Sequence, residues 1–149
     1  MKLLNLHNTK TLDIFSCSTE TMLELPLIDK GISAGFPSPA NDFIDVAIDL
    51  NKELIKNPSS TFFGRVKGDS MKDSGINNGD LLIIDKSLEP QNGKIAVCFI
   101  DGEFTIKRII LDKDCCWLMP ANNDYKPIKV TEENDFIVWG IVVHVIKSV

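Results

Sequence analysis

The run Gly68-Asp69-Ser70-Met71 contains the serine with the clearest potential for chemistry in this chain. A glycine two residues before a serine lets the backbone bend sharply, so that the hydroxyl is exposed and nearby N–H groups are free to face an oxyanion. The run is not the G-x-S-x-G nucleophile elbow, because Lys72 stands where the last glycine belongs. Taken alone, such a segment is more often a polar turn between two strands.

A serine nucleophile needs a base, and the sequence contains only two histidines, His7 and His144. His7 lies in the N-terminal segment and His144 in an apolar strand pattern, so a Ser-His-Asp triad is poorly supported. The alternative base is a lysine made neutral by burial, since desolvation can lower the lysine pKa of about 10.4 by 3 or more units. Lys107 lies in the apolar run Glu103–Ile110. Period-2 alternation does not settle whether it faces the core or solvent.

The elements that would position these residues are mainly strands. The dipeptide Asp101-Gly102 is the strongest hairpin signal, of type I′, and Asp49 is a predicted N-cap for one short helix, Leu50–Lys56. Strands at short spacing, joined by Gly, Asn, Asp and Pro turns, predict a mostly antiparallel β-domain from about residue 41 onward. The predicted strands are Thr61–Lys67, Leu81–Asp85, Lys94–Ile100, Glu103–Leu111, Cys115–Met119 and Phe136–Lys147.

Residues 1–40 are predicted to form a mostly extended arm. The segment Gly31–Ala40 combines small residues with two prolines that cannot donate ladder hydrogen bonds, which indicates a protease-accessible hinge. Between Leu3 and Ile28 the arm carries ten Leu, Ile and Phe residues and is too apolar for a solvated tail, so we expect it to pack on another surface. We therefore divide the chain into an arm, residues 1–40, and a β-domain, residues 41–149.

Composition limits the partners. The formal net charge of −5 makes the chain a poor candidate for coating a phosphate backbone, because that affinity comes from clustered cations. The start has no sustained apolar region, and Phe136–Ile146 is too short to span a bilayer, so we expect a cytoplasmic protein without a membrane anchor. The four cysteines form no CxxC pair and are expected to be reduced. Since the two histidines lack metal-ligand spacing, no metal or other cofactor is expected.

Six motifs, in their order and spacing, closely resemble the UmuD family, the SOS mutagenesis proteins that share a self-cleaving domain with LexA and phage repressors. The motifs are Gly35-Phe36-Pro37-Ser38-Pro39-Ala40, Ile48-Asp49-Leu50-Asn51, Gly68-Asp69-Ser70-Met71, Gly79-Asp80-Leu81-Leu82-Ile83, Asp101-Gly102-Glu103-Phe104-Thr105-Ile106-Lys107 and Gly140-Ile141-Val142-Val143-His144-Val145-Ile146-Lys147. This resemblance covers about three quarters of the chain. It implies a compact, mostly antiparallel β-domain of the LexA/UmuD C-terminal type, with an extended N-terminal arm and one short helix.

The resemblance also implies roles for individual residues. Ser70 corresponds to the nucleophile, Lys107 to the general base, and Ala34–Gly35 to the scissile bond in the hinge. The backbone N–H groups of Ser70 and Met71 are the expected oxyanion donors. The arm before Ala34 matches the family poorly and is somewhat longer than in the best-known members, which leaves its docking open.

The function that follows from the resemblance is self-cleavage in the SOS response. Residues 41–149 would be a Ser/Lys-dyad peptidase and dimerisation domain, triggered by a RecA filament on single-stranded DNA. The shortened homodimer would serve a UmuC-type Y-family polymerase in translesion synthesis, with no direct sequence-specific DNA binding and no membrane contact. Two alternatives stay open: a non-catalytic β-module that dimerises and binds a polymerase, and a repressor-type protein that has lost its DNA-binding domain.

Overall fold

The computed structural model describes residues 2–19, 24–28 and 44–149, and its elements within those ranges are mainly strands. The strands are β1 (Lys2–Asn8), β2 (Leu12–Ser18), β3 (Glu24–Ile28), β4 (Ile44–Asp49), β5 (Thr61–Val66), β6 (Leu81–Asp85), β7 (Ile95–Ile100), β8 (Glu103–Asp112), β9 (Cys115–Met119), β10 (Ile128–Val130) and β11 (Phe136–Ile146). Helix α1 covers Leu50–Leu54, and 3₁₀ turns cover Pro58–Ser60 and Lys72–Ser74. None of the helices in these ranges has the length and hydrophobicity to cross a bilayer.

The strands form two antiparallel sheets. Nine of the described strands make one sheet in the order β1-β2-β5-β6-β11-β7-β8-β9-β10, and β3 pairs with β4 separately. The predicted mostly antiparallel fold is therefore confirmed. The six strands predicted beyond residue 41 agree with the observed ones to within one residue at each end. β4 and β10 were not predicted, although β4 alternates Ile44, Val46 and Ile48 with smaller or charged residues; β10 has only three residues.

Two local predictions have a clear structural basis. The Asp49 side chain accepts a hydrogen bond from the Asn51 N–H at 3.0 Å, as an N-cap does. The helix ends at Leu54, two residues earlier than predicted, because the buried Ile55 takes an extended conformation. Between β7 and β8, Asp101 and Gly102 both have positive φ, 48° and 86°, as a type I′ turn requires.

The first two strands lie in the segment that the sequence assigns to the arm, and both join the main sheet. Strand β2 pairs antiparallel with β5, from Leu12 opposite Val66 to Ser16 opposite Phe62. The side chains of Leu12 and Ile14 are fully buried in the main hydrophobic core. The surface on which this part of the arm packs is therefore the β-domain itself. The predicted hinge, residues 31–40, lies outside the described residues.

Gly64 allows β2 to pack this closely on β5. A Cβ atom at Gly64 would lie 2.6 Å from Leu12 Cδ1 and 3.0 Å from Ile84 Cδ1. Both neighbours are fully buried, so neither side chain can move aside into solvent. The absence of a side chain at this one position is thus a condition for the buried contact between β2 and the sheet.

We predict that Gly64→Ala lowers the free energy of unfolding by about 1–3 kcal/mol, because the added methyl group overpacks the core. Urea denaturation measures the change. In a Leu12→Ala background the same substitution should cost less, since the nearest atom is then missing. An equal loss in both backgrounds would show that the Leu12 contact does not require glycine.

Candidate active site

Ser70 lies in the tight loop that follows β5. Gly68 has a φ of 88°, which lets the chain reverse there, and its N–H donates to Asn78 Oδ1 at 3.0 Å. Immediately after Ser70, the Met71 side chain is buried in the main core, and a 3₁₀ turn follows. One buried residue thus anchors the loop, while Ser70 itself remains partly exposed.

A second loop, residues 120–125, supports the backbone on either side of Ser70. The Ala121 N–H donates to the Ser70 carbonyl at 2.8 Å, and the buried Asn122 donates its side-chain amide to the Asp69 carbonyl at 2.9 Å. The Tyr125 hydroxyl donates to Asp69 Oδ1 at 3.0 Å. Sequence reasoning missed this support, because Asn122 and Asp69 are 53 residues apart and a polar turn does not reveal its partner.

Lys107 enters the same site from β8. Its side chain is only 5% exposed, so the structure places it in the core, which strand alternation had left undecided. Lys107 Nζ lies 3.1 Å from Ser70 Oγ, 2.7 Å from Thr105 Oγ1 and 3.0 Å from the Ile106 carbonyl oxygen. The two residues singled out by the sequence are therefore within hydrogen-bonding distance of each other.

Burial lowers the pKa of Lys107 below the ordinary 10.5, because the core does not solvate an ammonium ion. A thiolate at Cys98 would oppose this effect, but burial raises the pKa of Cys98 to about 12, so the thiol stays neutral while Lys107 titrates. No carboxylate within the described ranges forms an ion pair with Lys107. At a given pH, a larger fraction of Lys107 is therefore in the neutral form, which can accept a proton, than in a surface lysine.

The backbone beside Ser70 offers unused donors. Within the described part of the chain, the N–H groups of Ser70 and Met71 make no hydrogen bond. A small pocket borders them, with Gly68 at its rim and Ile76 and Ile106 among its apolar walls. Free N–H groups next to a nucleophile are what a developing oxyanion requires.

The other residues that the sequence singled out lie elsewhere. His7 is exposed on β1 with its ring 6.0 Å from that of Phe104, and His144 is exposed on β11. Neither forms a hydrogen bond to Ser70 among the described interactions. The Ala34–Gly35 bond lies outside the described residues, in the segment that joins β3 to β4. Across the ranges that the structure covers, no group of three His, Cys, Asp or Glu residues could hold a metal ion.

Known proteins match most of the chain. Residues 26–143, which include Ser70 and Lys107, match the family model described as Peptidase S24-like. MucA of Salmonella typhimurium is 40% identical over 134 residues, covering 89% of this chain and 91% of MucA. SamA of Salmonella typhimurium strain LT2 is 42% identical over 123 residues, covering 83% of this chain and 87% of SamA. LexA repressor 2 of Xanthomonas axonopodis pv. citri is 35% identical over 133 residues, covering 89% of this chain and 62% of that protein.

We predict that the buried Lys107 makes stability increase with pH in the alkaline range. Its pKa is lower in the folded chain than in the unfolded one, so between the two values the unfolded chain binds more protons. The free energy of unfolding then rises by at most about 1.4 kcal/mol per pH unit.

Urea denaturation from neutral pH up to pH 10.5 measures this effect. The measurement uses a Ser70→Ala background, so that the Ser70 hydroxyl does not contribute to the titration of Lys107. Lys107→Met removes the titrating group, so the variant should be the more stable form at neutral pH, with the difference shrinking as the pH rises. Parallel pH curves for the two proteins would contradict a lowered pKa at Lys107.

Proposed function

The chain belongs to the peptidase S24-like family, and from that premise we propose that it is a serine endopeptidase that cuts its own arm at Ala34–Gly35. The MucA and SamA matches confirm the resemblance of its motifs to the UmuD family. The observation that carries the proposal is the 3.1 Å distance from Lys107 Nζ to Ser70 Oγ, with the lysine buried and no carboxylate paired to it in the described ranges.

The three contacts of Lys107 match the bonding capacity of a neutral amine. Such an amine has two N–H donors and one lone pair. It can donate to the Ile106 carbonyl and to Thr105 Oγ1, which leaves the lone pair to accept a proton from Ser70. Thr105 and the β8 backbone therefore act as positioning groups, because they orient the base without touching the substrate.

The reaction would proceed in two stages. Ser70 Oγ attacks the Ala34 carbonyl carbon as Lys107 takes the hydroxyl proton, and the oxyanion is stabilised by the N–H groups of Ser70 and Met71. Lys107 then returns the proton to the Gly35 nitrogen, which leaves as a free amine and yields an ester between Ser70 and Ala34. Water, deprotonated by Lys107, attacks the ester carbonyl, and Lys107 then returns this proton to Ser70 Oγ as the bond to Ala34 breaks and the Ala34 carboxyl group is released. The net change is the addition of one water molecule.

Because the substrate is part of the same chain, proximity replaces much of the binding that a separate substrate would need. Residues 29–43 join two paired strands of the same chain, so the scissile bond is covalently tethered to the residues that would cut it, which raises its effective concentration. Ala34 and Gly35 are both small, which suits a bond that must approach a serine beside a buried lysine. Cleavage could occur within one chain or between two chains of a dimer.

The wider role that we propose follows the UmuD resemblance. A RecA filament on single-stranded DNA would trigger the cut, and the shortened homodimer would act in the cytoplasm as accessory subunit of a UmuC-type Y-family polymerase in SOS translesion synthesis. The net charge of −5 supports action on DNA through partners rather than by direct, sequence-specific binding. A non-catalytic β-module would share the partners but not the cleavage.

We predict that self-cleavage of the purified chain accelerates as the pH rises through the lowered pKa of Lys107, with a half-maximal rate below pH 10.5. The physical reason is that only the neutral amine accepts the serine proton. Fragments of 34 and 115 residues are followed by gel and mass spectrometry. A chain that stays intact at about pH 10, with and without a RecA filament, would contradict the proposal.

Ser70→Ala and Lys107→Ala should each reduce the cleavage rate by at least about 10³-fold, because each removes an indispensable reactant. The matched controls are Ser74→Ala and Lys72→Ala, which make the same changes in the adjacent 3₁₀ turn. Both controls should cleave at close to the wild-type rate. Persistent cleavage in Ser70→Ala would show that another group is the nucleophile.

Thr105→Val should slow cleavage by about 10-fold or more, since it removes the hydroxyl that holds Lys107 Nζ at 2.7 Å. Thr105→Ser keeps the hydroxyl and should restore most of the rate. The pH profile of the valine variant should also shift, which a loss of packing alone would not produce. Equal rates for the valine and serine variants would exclude a positioning role for the Thr105 hydroxyl.

A further inference from the structure

Two β-ladders join the residues before Ala34–Gly35 to the residues after it. Strand β2 pairs with β5 over five residue pairs, from Leu12 opposite Val66 to Ser16 opposite Phe62. Strand β3 pairs with β4, from Glu24 opposite Asp49 to Ile28 opposite Ile44. Hydrolysis of one bond in the segment between β3 and β4 breaks none of these backbone hydrogen bonds.

The β2 strand also supplies part of the main core. Leu12 and Ile14 have no exposed surface and belong to the same buried cluster as Met71, the residue after Ser70. The space for Leu12 exists because Gly64 has no side chain. A peptide that leaves this position would expose two large apolar side chains and an apolar cavity in the sheet, which opposes its departure.

Polar contacts hold the turn between β1 and β2 against the end of β5. The Lys67 N–H donates to the Thr11 carbonyl at 2.9 Å, and Lys67 Nζ donates to the Thr9 carbonyl at 3.0 Å. The same ammonium forms an ion pair with Asp13 at 2.6 Å. The Thr11 hydroxyl donates to the Phe104 carbonyl, which lies on β8. These contacts add a charged and directional component to the apolar docking of β2.

We propose that residues 1–34 stay bound to residues 35–149 after the chain is cut. The edge of β5 that β2 covers, with the apolar space beside Gly64, is then a binding site for an apolar β-hairpin, and its first occupant is the excised arm of the same chain. The proposal rests on the proposed function only for the cut itself. Cleavage turns a permanent attachment into a reversible one, and any partner that needs the β5 edge must displace residues 2–18.

Thr11 gives this retention a further consequence. It lines the small pocket beside Ser70 together with Lys67 and Gly68, and it belongs to the arm. While the excised arm remains docked, one wall of the pocket therefore stays in place. Loss of the arm opens the pocket and bares the β5 edge at the same time, so both changes follow the dissociation step rather than the hydrolysis step.

The experiment begins with the full chain, cleaved by incubation at high pH and returned to neutral pH. Native mass spectrometry should find both fragments in one species, with the mass of the uncut protein plus one water molecule for each chain it contains, while denaturing gels show two fragments. Size-exclusion chromatography should elute both fragments together at micromolar concentration. Separate elution of a 34-residue peptide and a 115-residue domain would overturn the proposal.

A second form of the experiment does not depend on Ser70. In a Ser70→Ala chain, a recognition sequence for a site-specific protease is inserted between residues 29 and 43, and the added enzyme makes the cut. Co-elution of the fragments here supports docking even if the chain never cleaves itself. Separation of the fragments here overturns docking even if self-cleavage is demonstrated, so the two proposals fail independently.

Matched variants of the inserted-site chain identify the contact that holds the arm. Ile14→Ala removes a fully buried side chain of β2, and we expect fragment affinity to fall by about 30-fold or more. Leu6→Ala removes a side chain on β1 that is 43% exposed, and the expected loss is less than about threefold. Circular dichroism before cleavage verifies that each variant is folded. Equal affinities for the two variants would contradict docking through the β2 core face.

Discussion

The site depends on one costly arrangement, a lysine amine held in the core with no carboxylate paired to it in the described ranges. Burial destabilises the ammonium form of Lys107, and in the proposed mechanism this provides a base without a histidine. The Ser70 hydroxyl, 3.1 Å from Lys107 Nζ, is the group whose proton that base takes in the proposed mechanism. A surface ion pair would hold the lysine more firmly, but it would also keep the amine protonated and unreactive.

The main sheet positions both side chains. Strand β8 carries Thr105, Ile106 and Lys107 in a part that is buried throughout; β7 pairs with this part, and β9 pairs with β8 from Arg108 onward. The proposed nucleophile, Ser70, comes from the loop after β5, which Met71 anchors in the core and the 120–125 loop supports through the backbone. Neither residue lies in a long loop, so the proposed dyad has its geometry before any substrate binds.

Much of this fold could be predicted from the sequence, because turns and alternation are local signals. The Asp101-Gly102 hairpin and the Asp49 cap followed directly from residue type. Lys107 and Ser70 were found through their motifs, but the strand pattern could not show which face Lys107 occupies, since burial is decided by neighbouring strands. The Asn122 support and the insertion of β2 beside Gly64 join residues far apart in sequence, and no local pattern encodes such contacts.

The central claim concerns the protonation of one amine, and nuclear magnetic resonance observes it directly. The ¹³Cε resonance of Lys107, assigned by comparison with Lys107→Arg and recorded in a Ser70→Ala chain to prevent cleavage, reports its titration. A midpoint below 10.5 is the predicted result, since burial disfavours the ammonium ion. A midpoint at or above 10.5 would contradict the account, because the buried lysine would then be no better a base than one on the surface.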